Sequence, residues 1–270
     1  MAMKLSLFLP TGVGHDFAGY SDPAEVFDLL TELALAADEK GYTSVWAADH
    51  FVPVPPSPDF MFECWTTLTA LARETRRVRL GHLVTGNGYR HPALQAKMAS
   101  TLDVVSGGRL TFGIGAGWYE EEYRSHGFPF PDAPGRLRML RESAQIIRSM
   151  LTRPRTTFDG EYYQVREALN EPKGLQRPHV PMMVAGAGEK VTLRIVAEYA
   201  DACNVQAPRT NWSASTPSSR STARRWAATT TTSPAPPRRT ASSPTPTRRP
   251  APRSPRGRRP CSPATSARTA

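Results

Sequence analysis

Along its first two hundred residues the chain alternates short apolar runs with longer stretches of helical periodicity. KLSLFLP (4–10) predicts a first strand. DPAEVFDLLTELALAADEKG (22–41) predicts a helix: Asp22 can cap it, Pro23 suits its first position, Glu25 completes a capping box and Gly41 ends it. Val26, Leu29, Leu30, Leu33 and Ala37 make its apolar face. TSVWAAD (43–49) predicts a second strand, followed by a proline-rich loop over 51–58. A helix over 65–73, a strand RVRLGHLVT (77–85) and a helix over 92–105 follow, the last with Leu94, Met98, Leu102 and Val105 on one face. RLTFGIGAG (109–117) predicts a fourth strand and 135–151 a fourth helix, with a hairpin-like insert around FDGEYYQV (158–165). HVPMMVAGAG (179–188), residues 189–200 and ACNVQ (202–206) predict a fifth strand, a fifth helix and a sixth strand. Such alternation implies a parallel sheet covered by helices. An open doubly wound sheet and a barrel both fit this periodicity.

The pattern stops near Pro208. Residues 209–270 contain 13 arginines, 11 prolines and no acidic residue, and lack Leu, Ile, Val, Met, Phe and Tyr altogether. Such a segment has almost nothing to bury against its chain entropy, so a disordered tail is expected. The charge divides at the same place. The whole chain carries +10, but residues 1–208 hold 21 basic against 24 acidic residues, a formal −3. The basic character that would suggest a nucleic-acid or membrane partner therefore belongs to the tail. Cys64, Cys203 and Cys261 lack metal or redox spacing, which points to reduced thiols in a cytoplasmic protein, the first two read as small core residues. No apolar run reaches the length of a membrane span.

In parallel βα folds, functional groups lie at the carboxyl ends of strands. After the second strand stands Asp49-His50-Phe51, where a histidine can hydrogen-bond a cofactor ring or move a proton. An Asp–His pair bracing the loop is the structural alternative. At the end of the third strand, the small and apolar residues of Gly81 to Thr85, Leu83, Val84 and Thr85 among them, could form a wall against a flat ring or simply pack the core, with His82 a satisfied core histidine. After the fourth come Gly113 to Trp118, with Gly115, Ala116 and Gly117 at the turn, and after the fifth come Gly186, Ala187 and Gly188. Each glycine loop alone is ordinary turn chemistry, but two on successive strands suggest one shared phosphate site. Asp49, His50, Asp59 and Glu63 show no metal-ligand spacing, and no metal is expected.

VWAADHF, LGHLVTGNGYRHPALQAKMASTLDVVSGGRL, GIGAGWYEEEYRSHGFPFP and PMMVAGAGEKVTLRIVAEYADACN resemble consecutive signature segments of luciferase-like oxidoreductases, most closely the F420-dependent branch. The resemblance covers about residues 3–207. It implies a TIM-type (β/α)8 barrel, here reaching about six βα units over 1–208, and hydride transfer between coenzyme F420 and a small organic substrate. An FMN-dependent monooxygenase is the alternative within the fold. It further implies that His50 handles a proton beside the deazaflavin ring with Asp49 supporting it. Leu83-Val84 would form a strand bulge behind the ring, often with a cis peptide in this family. Gly115 to Trp118 and Gly186 to Gly188 would hold the phosphate side. Some F420 enzymes carry a catalytic glutamate where Trp118 stands, with Glu120, Glu121 and Glu122 only nearby, so no catalytic glutamate is expected. Complete homologues are expected to be homo-oligomers.

Two further readings concern the tail. A basic nucleic-acid-binding segment on a non-enzymatic protein is the alternative of another class, without an aromatic stacking series to support it. The other is translation out of frame from about Pro208. Codons for Trp226 to Ser233, read one base earlier, can encode Leu-Gly-Arg-Asp-Tyr-Asp-Asp-Ile, similar to the segment that follows the sixth barrel helix in this family. On that reading the last two strands and helices are absent, and low solubility and little activity are expected.

Overall fold

The computed structural model describes residues 4–186, 188 and 190–205. The expectations about Ala187 and the tail lie outside these residues.

Strand β1 (Ser6–Phe8) is followed by α1 (Pro23–Glu39), β2 (Ser44–Ala47), α2 (Cys64–Glu74) and β3 (Arg79–His82). The short β4 (Thr85–Gly86) leads into α3 (Pro92–Val105), β5 (Leu110–Gly115), α4 (Glu120–Ser125) and α5 (Ala133–Thr152). The antiparallel hairpin β6 (Thr156–Asp159) and β7 (Gln164–Ala168) then precedes β8 (Met182–Ala185), α6 (Thr192–Tyr199) and β9 (Ala202–Asn204). The predicted third strand is thus broken in two, with a cis peptide between Leu83 and Val84 at the break. Helix α4, over the acidic run, has no counterpart in the sequence expectations.

The sheet order is β1-β2-β3-β5-β8-β9, every pairing parallel, with β4 also on β5. Residues just after β2 (Asp49, His50) and at the end of β9 (Asn204) line one cavity. In a flat sheet those strands would lie four spacings apart, about 19 Å. The sheet therefore curls around the cavity, in the manner of a barrel wall. Among the described residues it ends at β1 on one side and β9 on the other.

The core lies between strands and helices, around Val45, Leu68, Leu80, Leu102, Phe112, Ile147 and Val184. In two helices most of the predicted apolar face packs on the core, as Val26, Leu30 and Ala37 of α1 and Met98, Leu102 and Val105 of α3 do, but part of it is left exposed. In α1, Val26, Leu30, Ala34 and Ala37 are buried, whereas Leu29 and Leu33 remain exposed. Beside the edge strand, α1 packs on α2 and β2, so its other flank has no cover among the described residues. In α3, the small Ala96, Ala99 and Ser100 face inward while Leu94 is exposed, because α3 is packed closely between α2 and α5. Cys64 is buried as expected, but Cys203 is exposed, since β9 is an edge strand.

At the amino ends of the strands, buried polar groups fix the connections. The Asp38 carboxylate accepts from the backbone amides of Arg76 (3.1 Å), Arg77 (2.6 Å) and Val78 (2.5 Å), which sets the entry to β3. Burial alone would raise its pKa, but these bonds prevail and hold it below the ordinary value. Arg109, entering β5, donates to the carbonyls of Ala72, Thr75 and Val78 and ties α2 to the sheet.

Candidate functional site

At the opposite, carboxyl ends of the strands lies a cavity of about 430 Å³. It is lined by Asp49 and His50 after β2, Leu83 to Gly86 at the β3–β4 break, Gly115 to Tyr119 after β5, Gly186 after β8 and Asn204 on β9. Ala185 on β8, Tyr89, Leu137 and Thr192 complete the lining. Of the residues expected from sequence, all but two touch this one space. Ala187 lies outside the described residues, and Gly188 is not part of the lining; a Cβ there would lie 2.9 Å from Thr192 Oγ1.

His50 is held by a residue that the sequence reading passed over. Its Nδ1 lies 2.9 Å from Oε2 of Glu122, whose side chain is fully buried on α4. The other Glu122 oxygen accepts from the backbone amides of Phe51 (2.6 Å) and Val52 (3.2 Å), and the Tyr89 hydroxyl donates to Oε2. Burial would raise the Glu122 carboxyl, but the bonds from His50, Tyr89 and Phe51 outweigh it and hold its pKa below the ordinary value. Tyr89, buried and beside that carboxylate, is pushed far above the ordinary phenol and stays protonated. Glu122, which in sequence is only near Trp118, thus meets His50 directly, although it does not itself line the cavity. The signal was available: Tyr119 and Tyr123 mark the inner side of a helical turn, and Glu122 is next to the buried Tyr123 on that side.

Asp49 does not support His50. Its buried carboxylate accepts from Thr85 Oγ1 (2.5 Å), the Gly86 amide (3.0 Å) and both terminal nitrogens of Arg90 (2.7 and 3.1 Å). Arg90 also donates to Glu63 (2.7 Å), whose side chain caps α2. Asp49 thus clamps the backbone just after the Leu83–Val84 break, and its position next to His50 in sequence is incidental to its partner. The structural alternative, an Asp–His pair bracing the loop, is not formed among the described residues: Asp49 meets Thr85, Gly86 and Arg90, and His50 meets Glu122 and lines the cavity.

His82 is buried as expected but is not satisfied. Among the described residues neither ring nitrogen has a hydrogen-bond partner, and the ring centre lies 4.0 Å from that of Trp65 and 5.8 Å from that of Phe112. Burial, with a smaller contribution from Arg90, pushes its pKa down to about 3, so it is neutral.

The glycine turns admit close backbone approach. Gly117 has φ +80°, and a Cβ there would sit 2.2 Å from the Tyr123 hydroxyl. Gly186 has φ +142° and donates to the Asn204 carbonyl (3.0 Å). Helix α6 begins beside it without a capping side chain. Trp118 is 64% exposed and stacked on Tyr119 at 5.2 Å, with its ring edge-on to His50 at 6.0 Å. Among the described residues, no group of three or more His, Cys, Asp or Glu is placed to hold a metal ion, and no helix is long and apolar enough to cross a membrane.

A curled parallel sheet that delivers one ligand pocket from the carboxyl ends of successive strands defines the class of (β/α)-barrel proteins. The chain belongs to the luciferase-like monooxygenase family, whose model matches residues 3–250. An F420-dependent glucose-6-phosphate dehydrogenase of Amycolatopsis mediterranei (strain U-32) is 34% identical over 187 residues, 67% of this chain and 54% of that protein. The chain spans about half the length of the curated relatives it matches. An F420-dependent secondary alcohol dehydrogenase, solved with an F420-acetone adduct, superposes with a TM-score of 0.69 at 24% identity. That match covers 84% of this chain and 66% of the other. The oxygenating constituent of 3,6-diketocamphane monooxygenase from Pseudomonas putida, solved with FMN, gives a TM-score of 0.56 at 22% identity over 73% of this chain and 56% of that one. The fold is accordingly that of a luciferase-like TIM-type barrel, of which the described residues form seven parallel strands, the short β3 and β4 both pairing with β5.

Proposed function

We propose that this chain carries the cofactor-binding part of an F420-dependent oxidoreductase that moves a hydride between the deazaflavin and a small organic substrate. The observation that carries this reading is the convergence of His50, the Leu83–Val84 wall and the glycine turns of β5 and β8 on one cavity. Its volume falls within the range of small-molecule and cofactor sites, and its lining sets the apolar Leu83 and Val84 beside glycine turns that expose backbone, so the residues present fit the group. The names of the curated relatives support F420.

Leu83 and Val84 would lie against one face of the ring, and His50 would stand at its reacting edge. The turns Gly115 to Trp118 and Gly186 to Gly188, with the first turn of α6, would take the phosphate side. When bound, the deazaflavin supplies two-electron hydride chemistry; the protein orients, excludes water and handles the accompanying proton at His50. The FMN-dependent reading is favoured by one neighbour solved with FMN.

Titrating the 270-residue protein with each cofactor separates the two. Saturable quenching of F420 fluorescence, with FMN binding weaker by tenfold or more, is the expected result. Preference for FMN would overturn the F420 assignment, and binding of neither would overturn the site. We also propose that the segment from about Pro208 is read out of frame. Sequencing the coding DNA decides this: a shifted frame without barrel-like sequence would end the idea.

A further inference from the structure

We propose that Glu122, backed by Tyr89, is the positioning residue that sets which nitrogen of His50 carries the proton. A buried ionised carboxylate can only accept hydrogen bonds, and two oxygens offer about four acceptor sites. All four are engaged: Oε1 by the amides of Phe51 and Val52, Oε2 by the Tyr89 hydroxyl and by Nδ1 of His50. Nδ1 must therefore be the donor, at 2.9 Å, in the neutral ring as well as in the charged one. His50 lines the cavity, so with Nδ1 engaged by α4 it is the opposite ring edge, bearing the bare Nε2 lone pair in the neutral ring, that is left for a ligand there.

Because its acceptor sites are full and its pKa is held low, Glu122 itself is not poised to shuttle a proton. The pairing spans 72 residues of sequence, so α4 is packed in place by the carboxylate as much as His50 is. That His50 acts on a bound ligand rests on the function proposed above; the proton's position does not.

Histidine 15N spectra of the cofactor-free 270-residue protein, assigned with His50→Gln, test the proposal at a pH where the ring is neutral. The expected wild-type signal is Nδ1 protonated and Nε2 bare. In Glu122→Gln, the amide oxygen stays with the Phe51 and Val52 amides. Its NH2 group then faces Nδ1, which must accept, and the proton should move to Nε2. Tyr89→Phe leaves the carboxylate in place and should keep the wild-type tautomer. A protonated Nε2 in the wild-type protein overturns the proposal even if no variant folds. An unchanged tautomer in a folded Glu122→Gln does so as well. Failure of F420 to bind would overturn the proposed function and leave this spectrum as it is.

Discussion

Replacing Asp49 separates its structural role from its neighbour's chemistry. In the native protein its carboxylate is fully buried, and the Arg90 side chain it holds is only 11% exposed. Asp49→Ala removes the acceptor for Thr85 Oγ1, the Gly86 amide and two guanidinium nitrogens at once. Breaking a buried ion pair typically costs about 3–5 kcal/mol, because the remaining charge stays in a poor solvent. Glu63 still accepts from Arg90, so the lower end, about 3 kcal/mol, is expected. Asp49→Asn keeps an oxygen for Thr85 and Gly86 and loses the charge, so about 1–2 kcal/mol is expected. In urea unfolding, the larger loss corresponds to a midpoint shift of roughly 1 M or more. Adding Arg90→Met to Asp49→Ala should cost less than the two changes summed, since the stranded guanidinium is gone. In the same samples, cofactor affinity should fall with Asp49→Ala, because the wall of Leu83 and Val84 loses its clamp, while the His50 tautomer stays as in wild type. Losses under about 0.5 kcal/mol for both variants, near the noise of surface substitutions, would refute the clamp. A tautomer switch in Asp49→Ala would return Asp49 to the role of His50's partner.

Two further outcomes follow from the same geometry. Unfolded His82 takes up a proton below about pH 6.5, whereas the buried ring, pushed down to about 3, does not. The unfolded state therefore binds more protons between those values, and His82 makes stability fall as pH drops through that window, by up to about 1.4 kcal/mol per unit. His82→Leu should remove that slope; urea unfolding at pH 7, 6 and 5 with identical slopes in both proteins would contradict it. Gly117→Ala puts a methyl group 2.2 Å from the Tyr123 hydroxyl at φ +80°, so it should lower cofactor affinity at least tenfold by displacing the turn. Unchanged affinity in a fluorescence titration would show that the turn does not bear on the ligand.

The order of strands and helices was legible because local pattern reports it. Apolar runs bounded by turn residues and the cap at Asp22 placed the elements within a few residues, and the strand carboxyl ends pointed to His50 and both glycine turns. The periodicity of a helix shows that it has an apolar side but not its rotation. That is set by what it packs on, which is why Leu29 and Leu94 are exposed while Ala34 and Ala96 are buried.

By itself, the sequence determined the parallel βα alternation, the family signatures and the residues presented at the strand ends. Only the tertiary structure decided who holds whom among them. Asp49 adjoins His50 in the chain, yet beyond the end of β2 the two side chains meet different partners, Asp49 turning to Arg90 and His50 to Glu122. Glu122, 72 residues away, looks like one of three solvated acids until α4 folds over the strand ends. Its buried charge then requires hydrogen-bond donors from distant parts of the chain, and those that meet it are His50, Tyr89 and two backbone amides.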